Sequence, residues 1–515
     1  MEDKNYKVIA NHVKAEVSIY QTKEDYVPRY DIKFPEVEES TQAILDSIKE
    51  DLIENVGIKA RETLDSKAME DIKVRFLKEA NKLIEKELPK LEKDKQKSLA
   101  GRLVHNMLGL GNIEILINDD SLEEIVINSA KEPVWVYHKE YGWLKTTLKL
   151  ENEGEIYNYS TTIGRKVGRQ ITNLNPLMDA HLTTGDRVNA TLFPISTNGN
   201  TITIRKFARN PWTITHFIDP EHRTLNKEIA SLLWLAIQYE MNMIVAGGTA
   251  SGKTSLLNTL APFIPPTHRI VSIEDTREIR LPDFLHWVPM TTREPNPEGK
   301  GEVSMNELMV NSLRMRPDRI IVGEIRRQKQ AEVLFEAMHT GHSVYSTLHA
   351  NTANEVVRRM TNPPINLPEN MLEALNIACV QFRDRRRGIR RTYQLAEIVQ
   401  KPSRGDSGIS LDVNVMYRWK GKNDRIEKIK DSVRLMNDIQ MHTGMSQKEI
   451  EKDLQKKQEI LQWMLDNRIN TVNTVGKIMA DYYKDDSRVY DFVEKNKKPE
   501  QIFNDDLLQE LKKSE

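Results

Sequence analysis

The stretch Gly247-Gly248-Thr249-Ala250-Ser251-Gly252-Lys253-Thr254 fits G-x-x-x-x-G-K-[ST], the spacing of a phosphate-binding loop. A phosphate needs several backbone N–H groups converging on it, and glycines let the main chain come that close. Lys253 then reaches the β/γ-phosphates of ATP, and the Thr254 hydroxyl binds Mg2+. Ser255, in the first turn of the helix expected next, completes the nucleotide-binding set. Two other stretches deliver carboxylates. Glu274-Asp275-Thr276-Arg277-Glu278 closes one apolar run, and Gly323-Glu324-Ile325-Arg326 closes another. In open α/β sheets the carboxyl ends of strands line the ligand crevice. Glu324 is therefore expected to serve Mg2+ through water, where many phosphate-loop enzymes use Asp. His342 and His349 bracket a further apolar run. A neutral imidazole there can hydrogen-bond a γ-phosphate or a carboxylate and so report nucleotide state. No second ligand cluster has the spacing of a histidine metal site.

These residues need strands and helices to hold them. Residues 242–246 read as a buried strand leading into the loop, and 255–260 as the first turns of a helix ending near Pro262. Residues 269–273, 320–322 and 343–348 read as the strands ahead of Glu274 and Glu324 and between the two histidines. Upstream, residues 1–95 read as a small α/β adaptor with helices near 44–53 and 67–87, and 96–215 as a second α/β module. In that module 113–117 and 124–127 look strand-like, Gly142 turns a hairpin, and Asn198-Gly199 signals another between 190–194 and 201–204. Arg187 and Arg205 lie beside these last strands. The proline-bearing segment 208–223 reads as the linker into a nucleotide-binding domain spanning 216–400. From 401 to 515 the chain reads as a polar helical region, with a capping box at Ser446-Gln447-Lys448-Glu449.

Composition narrows the class. The 515 residues suffice for several domains, and 29% charged with 39% hydrophobic residues suits a soluble, helix-rich α/β protein. Lys+Arg number 75 against 76 Asp+Glu, so no global field favours nucleic acid or membrane. Cys379 is the single cysteine, which excludes internal disulfides and a four-cysteine zinc site and suits a reducing compartment. No apolar run approaches the ~20 residues of a membrane helix, so the expected location is cytoplasmic, peripheral to the membrane through partners. The dense run Arg383, Arg385, Arg386, Arg387, Arg390 and Arg391 reads first as an interface or a solvated strand edge, without the interleaved aromatics of a single-strand nucleic-acid platform.

The same stretches carry a family resemblance. The chain resembles the type II/IV secretion ATPases, hexameric motors behind pili, secretion systems and the archaellum, over roughly residues 100–400. The loop 247–254 resembles their Walker A, 272–278 their Asp box, 313–324 their Walker B region and 340–349 their His box. Gly185-Asp186-Arg187-Val188 and Thr203-Ile204-Arg205-Lys206-Phe207 resemble their N-terminal arginine segments. Arg327 stands where the family often has Gly, and the single cysteine departs from the metal module of bacterial pilus-extension members. The forms at 274–278 and 348–351 look archaeal. The resemblance implies a RecA-like motor domain, a PAS-like N-terminal domain and a homo-hexameric ring using ATP and Mg2+. It makes Glu274 the general base, Glu324 the support of Mg2+ and water, His342 and His349 nucleotide sensors, and Arg187 and Arg205 phosphate contacts from the N-terminal domain. It also implies a polytopic membrane platform protein as partner, while the balanced overall charge argues against nucleic acid. A nucleic-acid translocase, resting on the arginine run, and a nucleotide-gated scaffold that barely turns over are the rival readings.

Overall fold

The computed structural model describes residues 4–35, 37–55, 66–182, 185–207, 210–295, 299–402 and 409–514. It divides into two compact units, 1–209 and 210–515. Ala208 and Arg209, at the start of the expected linker, lie outside the described residues.

In the first unit, alternating apolar residues build β1 (Lys4–Ala10) and β2 (Val13–Tyr20), whose inward side chains Val8, Ala10, Val13, Ala15, Val17 and Ile19 are buried. Asn11 and His12, at φ 45° and 68°, make the tight turn whose twist matches the strands. After β3 (Arg29–Lys33), α1 (Glu39–Asn55), α2 (Ser66–Glu87) and α3 (Lys93–Leu108) enclose a core of their own, including Leu45, Ile48, Leu52, Ile72, Phe76 and Leu103. Then follow α4 (Ile113–Asn118), β4 (Leu122–Ile127), β5 (Trp135–His138), β6 (Gly142–Thr146), α5 (Glu153–Lys166), β7 (Leu177–His181), β8 (Arg187–Thr191) and β9 (Thr201–Arg205). One nine-stranded sheet, in the order β1-β2-β3-β6-β5-β4-β9-β8-β7, runs through both segments expected on either side of residue 95. The parallel pairing of β3 with β6 joins them.

Residues 113–117 correct the sequence reading: the run Ile-Glu-Ile-Leu-Ile is α4, not a strand. It is short enough for either state. Here burial of Ile113, Ile115 and Leu116 against the sheet decides for a single helical stretch.

The second unit contains α6 (Ile214–Ile218), α7 (Lys227–Gln238), β10 (Met243–Gly247), α8 (Lys253–Leu260), β11 (Ile270–Glu274), β12 (Trp287–Thr291), α9 (Met305–Ser312), β13 (Arg319–Val322), α10 (Gln328–His339), β14 (Ser343–Leu348), α11 (Ala353–Thr361) and α12 (Glu369–Leu372). Next come β15 (Ile377–Asp384), β16 (Ile389–Pro402), β17 (Ile409–Lys420) and β18 (Arg425–Lys428), then α13 (Arg434–Thr443), α14 (Gln447–Asp466), α15 (Val472–Lys484), α16 (Asp486–Glu494) and α17 (Asp505–Ser514). The sheet order is β12-β11-β13-β14-β10-β15-β16-β17-β18. Strands β12 through β15 run parallel, and β16 to β18 extend the sheet antiparallel. Strands β10, β11, β13 and β14 are buried along their whole length, as apolar runs covered on both faces must be.

The helices expected from residue 401 therefore begin only at Arg434, because β17 and β18 come first. Ser446 caps α14 and Glu449 returns the bond, as the capping box implied. These helices complete the core of the second unit: Ile450, Leu461, Met464, Val475, Ile478 and Val489 share one cluster with Trp234, Leu256 and Phe263. Trp234 stacks on Phe263 at 5.2 Å and meets Tyr482 edge-on at 4.7 Å, and its Nε1 donates to Tyr483 Oη at 3.1 Å. Gly476 on α15 is a tight point. A Cβ there would stand 2.2 Å from Pro282 Cγ. Gly476→Ala is expected to cost about 1–3 kcal/mol, read as a lower urea midpoint; an unchanged midpoint would mean the Pro282 loop yields freely.

Candidate nucleotide site

The site begins where β10 ends. Gly247 has φ 154°, and a Cβ on it would lie 2.3 Å from Ser251 Oγ and 2.6 Å from the Gln381 carbonyl oxygen, so only glycine fits. Gly252, at φ 93°, is the N-cap of α8 and turns the chain from loop into helix. Between them the loop 248–251 folds so that Ser251 N, Ser251 Oγ and Lys253 Nζ converge on the Gly248 carbonyl at 3.4, 2.9 and 3.0 Å. These donors are spent on the loop's own carbonyl, and the place for an anion is the N-terminus of α8, which the loop leads into. Thr254 and Ser255 follow Lys253 in the first turn of α8. Burial lowers the pKa of Lys253 from its ordinary value.

Because β11, β13, β14 and β10 run parallel, their carboxyl ends share one edge. A chain of ionisable side chains crosses that edge. Asp275 Oδ2 accepts from Arg326 Nη1 at 2.9 Å, and Arg326 Nε donates to Glu324 Oε2 at 2.8 Å. Glu324 Oε1 stands 2.9 Å from His349 Nε2, and His349 Nδ1 lies 3.4 Å from Lys253 Nζ. An ammonium only donates, so Nδ1 must accept, and the ring proton belongs on Nε2, facing Glu324. The His349–Glu324 approach is off the line of a hydrogen bond, which leaves Glu324 Oε1 a buried carboxylate oxygen without an aligned donor. Glu274 is the last residue of β11 and is 2% exposed. Its Oε1 accepts from the Glu278 and Ile279 amides at 2.9 and 3.1 Å, while Oε2 is buried without a donor. Burial pushes its pKa up to about 7, against the pull of those two amides. A half-protonated carboxyl with one free oxygen suits proton transfer near neutral pH.

Thus Lys253, Glu324 and His349 form one cluster with the loop, and Glu274 ends the adjoining strand. His342 does not join them. It precedes β14 at the other edge of the sheet, roughly 20 Å from His349 by strand rise, with Nδ1 3.2 Å from Thr340 Oγ1 and from the Ala337 carbonyl. Arg187 and Arg205 belong to the first unit, where they stand directly opposite each other across β8 and β9. Arg187 Nε donates to Asp179 at 3.0 Å, and Arg205 faces Glu124 in register. The sequence reading assigned no role to Asp275 and Arg326, although both lay inside quoted motifs. Arg327 is extended at φ −130° and opens α10, so a side chain is accommodated where the family often has Gly.

A model of the family described as "Type II/IV secretion system protein" matches residues 107–381. An uncharacterized protein of Methanocaldococcus jannaschii is 37% identical over 326 residues, 63% of this chain and 58% of that protein. A second from the same organism is 40% identical over 267 residues, 51% of this chain and 97% of its own length. The type IV secretion system protein PtlH of Bordetella pertussis is 31% identical over 268 residues, 48% of this chain and 77% of that protein. The chain spans only 58% and 32% of the length of two of the M. jannaschii relatives it matches. Among solved structures, the Legionella pneumophila ATPase DotB is 18% identical, covering 74% of this chain and 94% of that one, with a TM-score of 0.39. The second unit is an α/β fold with the glycine-rich loop after a central strand of a mostly parallel sheet and carboxylates at the ends of neighbouring strands.

Proposed function

The chain belongs to the type II/IV secretion system protein family, and from that premise we propose that it is a Mg-dependent ATPase whose hexameric ring powers assembly of a type IV pilus-like filament, a type II/IV secretion machine or an archaellum. The observation that carries this reading is the continuous chain Asp275–Arg326–Glu324–His349–Lys253, which ties two strand-end carboxylates to the phosphate loop. It places groups for metal, water and phosphate on one sheet edge. The residues fit MgATP: Gly247 and Gly252 keep the loop narrow, and Glu324 Oε1 and Glu274 Oε2 are buried oxygens with no hydrogen-bond donor. Among the described residues no group of three His, Cys, Asp or Glu side chains is placed to hold a metal ion by itself. Mg2+ would be held by the Thr254 hydroxyl, by the nucleotide phosphates, and by Glu324 through water. Bound there, it would neutralise phosphate charge. Lys253 adds a cation at the β/γ-phosphates, and Glu274 Oε2 accepts the proton of the attacking water.

Among the described residues no helix is long and apolar enough to cross a membrane. In this reading, the motor acts at the inner face of the cell membrane through a polytopic platform protein. The purified chain should release phosphate from ATP only with Mg2+, lose that activity with EDTA, and show no stimulation by single- or double-stranded DNA. Phosphate release no greater than that of Lys253→Ala would end the ATPase reading. Strong stimulation by DNA would replace the filament motor with a translocase.

A further inference from the structure

The arginine run 383–391 lies on the hairpin of β15 and β16, and its members separate by what they touch. Arg391 is 4% exposed, donates twice to Asp424 at 2.8 Å and once to the His222 carbonyl at 2.7 Å, and so holds the sheet together. Arg387 pairs with Asp384 at 3.1 Å and lies over the Trp419 ring. Arg390 reaches the phosphate loop instead: its Nε donates to the Ala250 carbonyl at 3.3 Å, and its Cδ lies 3.6 Å from where a Cβ on Gly252 would stand. Ala250 holds φ 58°, a left-handed conformation costly for a residue with a Cβ, so a fixed partner for its carbonyl has work to do. Arg383 stands directly opposite Arg390 in the hairpin register. Opposed residues share a face of the sheet, so the hairpin carries two guanidinium groups on the face of the Ala250 contact.

Sheet order decides which part of a nucleotide this side serves. β13 and β14, which deliver Glu324 and His349, lie on one side of β10; β15 and β16 lie on the other. Arg390 therefore approaches the loop from the flank away from the groups that handle the γ-phosphate. The geometry points to Arg390 as a nucleotide-positioning residue that fixes the Ala250 carbonyl out of the loop and adds positive charge beside the α- and β-phosphates, with Arg383 reinforcing the field. This rests on the phosphate-loop reading above. Because the α- and β-phosphates are common to ADP and ATP, the contribution is to binding of both and not to cleavage.

The test is equilibrium titration of the full chain with fluorescently labelled ADP and ATP in Mg2+, together with kcat at saturating ATP. Arg390→Gln should weaken ADP and ATP by the same factor, about tenfold, the size of one lost charge-assisted hydrogen bond, with kcat within about twofold. Arg390→Lys keeps the charge without the planar fork and should fall between; it carries the comparison if Arg390→Gln does not fold. Unchanged affinity in every folded variant, a loss confined to ATP, or a fall in kcat at intact affinity would overturn the proposal. Lys253→Ala, titrated in parallel, separates the two readings. Retained affinity there means the phosphate loop itself has been misread, whereas lost affinity there beside intact Arg390→Gln binding removes only the role of Arg390.

Discussion

Glu324→Gln is expected to bind MgATP nearly as the native chain does and to turn it over about 10²–10⁴ times more slowly. Glu324 accepts from Arg326 on one oxygen and faces the Nε2–H of His349 with the other. An amide in its place points an NH2 group at one of those donors. Arg326 then keeps Asp275 alone, and the link from carboxylates to His349 and Lys253 is cut. The loop, Lys253 and Thr254 are untouched, so affinity survives. If affinity and turnover fell together, Glu324 would be a support of the loop and not of the chemistry. Glu274→Gln should be equally slow but distinguishable by pH. Burial holds Glu274 near pH 7, so its basic form is the minor one below that value. Turnover of the native chain should therefore rise about tenfold per pH unit below 7 and level off above it. Glu324→Gln should retain that acid limb in its residual activity, and Glu274→Gln should lose it. A limb that persists in Glu274→Gln would assign it to another group.

The second large effect tests the ring. Arg187 and Arg205 lie on the first unit and the phosphate loop on the second. If the arginines act on a γ-phosphate of a neighbouring chain, removing one should cost roughly 10³–10⁵ in kcat, as for an arginine finger supplied in trans. Two inactive proteins should then restore each other. In rings mixing Arg205→Ala with Lys253→Ala, an intact loop will sometimes meet an intact arginine, and activity should return. With a contact inside one chain, neither protein holds both groups and mixing restores nothing. Zero activity at every mixing ratio, in rings shown by native mass to be mixed, would rule out the trans contact. Repeating the mixture with Arg187→Ala shows whether the facing pair Arg187 and Arg205 serves one site or two. The engagement of Arg187 by Asp179 gives it a structural job as well, so its loss should also lower the unfolding midpoint.

What was legible in the sequence follows from how local each signal is. The loop and its flanks could be read because strand, glycine turn and helix start are contiguous, and β10, β11, β13 and β14 because buried parallel strands are unbroken apolar runs. α4 was misread because five residues cannot separate helix from strand by period. β17 and β18 were hidden by polar side chains: Asp412, Asn414, Arg418 and Lys420 interrupt β17, Arg425, Glu427 and Lys428 make up most of β18, and the pairing that makes them strands comes from β16 for β17 and from β17 for β18. The role of Arg390 could not be read at all. Its neighbours Arg387 and Arg391 have the same side chain, and only the hairpin register with the place of β16 beside β10 and β15 selects it. His342 and His349 were read at the two ends of one strand, as β14 has them, and their shared role came only from the family resemblance.

The core shared by the phosphate-loop elements and the C-terminal helices also sets an order on the ribosome. Trp234 hydrogen-bonds Tyr483, 249 residues later, and Tyr483 in turn donates to the Phe263 carbonyl at 2.5 Å. At roughly 5–20 residues per second, about 12–50 s of synthesis separate those partners. During that interval β10, β11, β13 and β14 have emerged, but the apolar side of α7 and α8 lacks the helices that cover it. The nascent chain therefore carries the loop 247–254 on a half-built core, and a chain stopped after β16 would leave exposed the apolar side of α7 and α8 that the C-terminal helices bury.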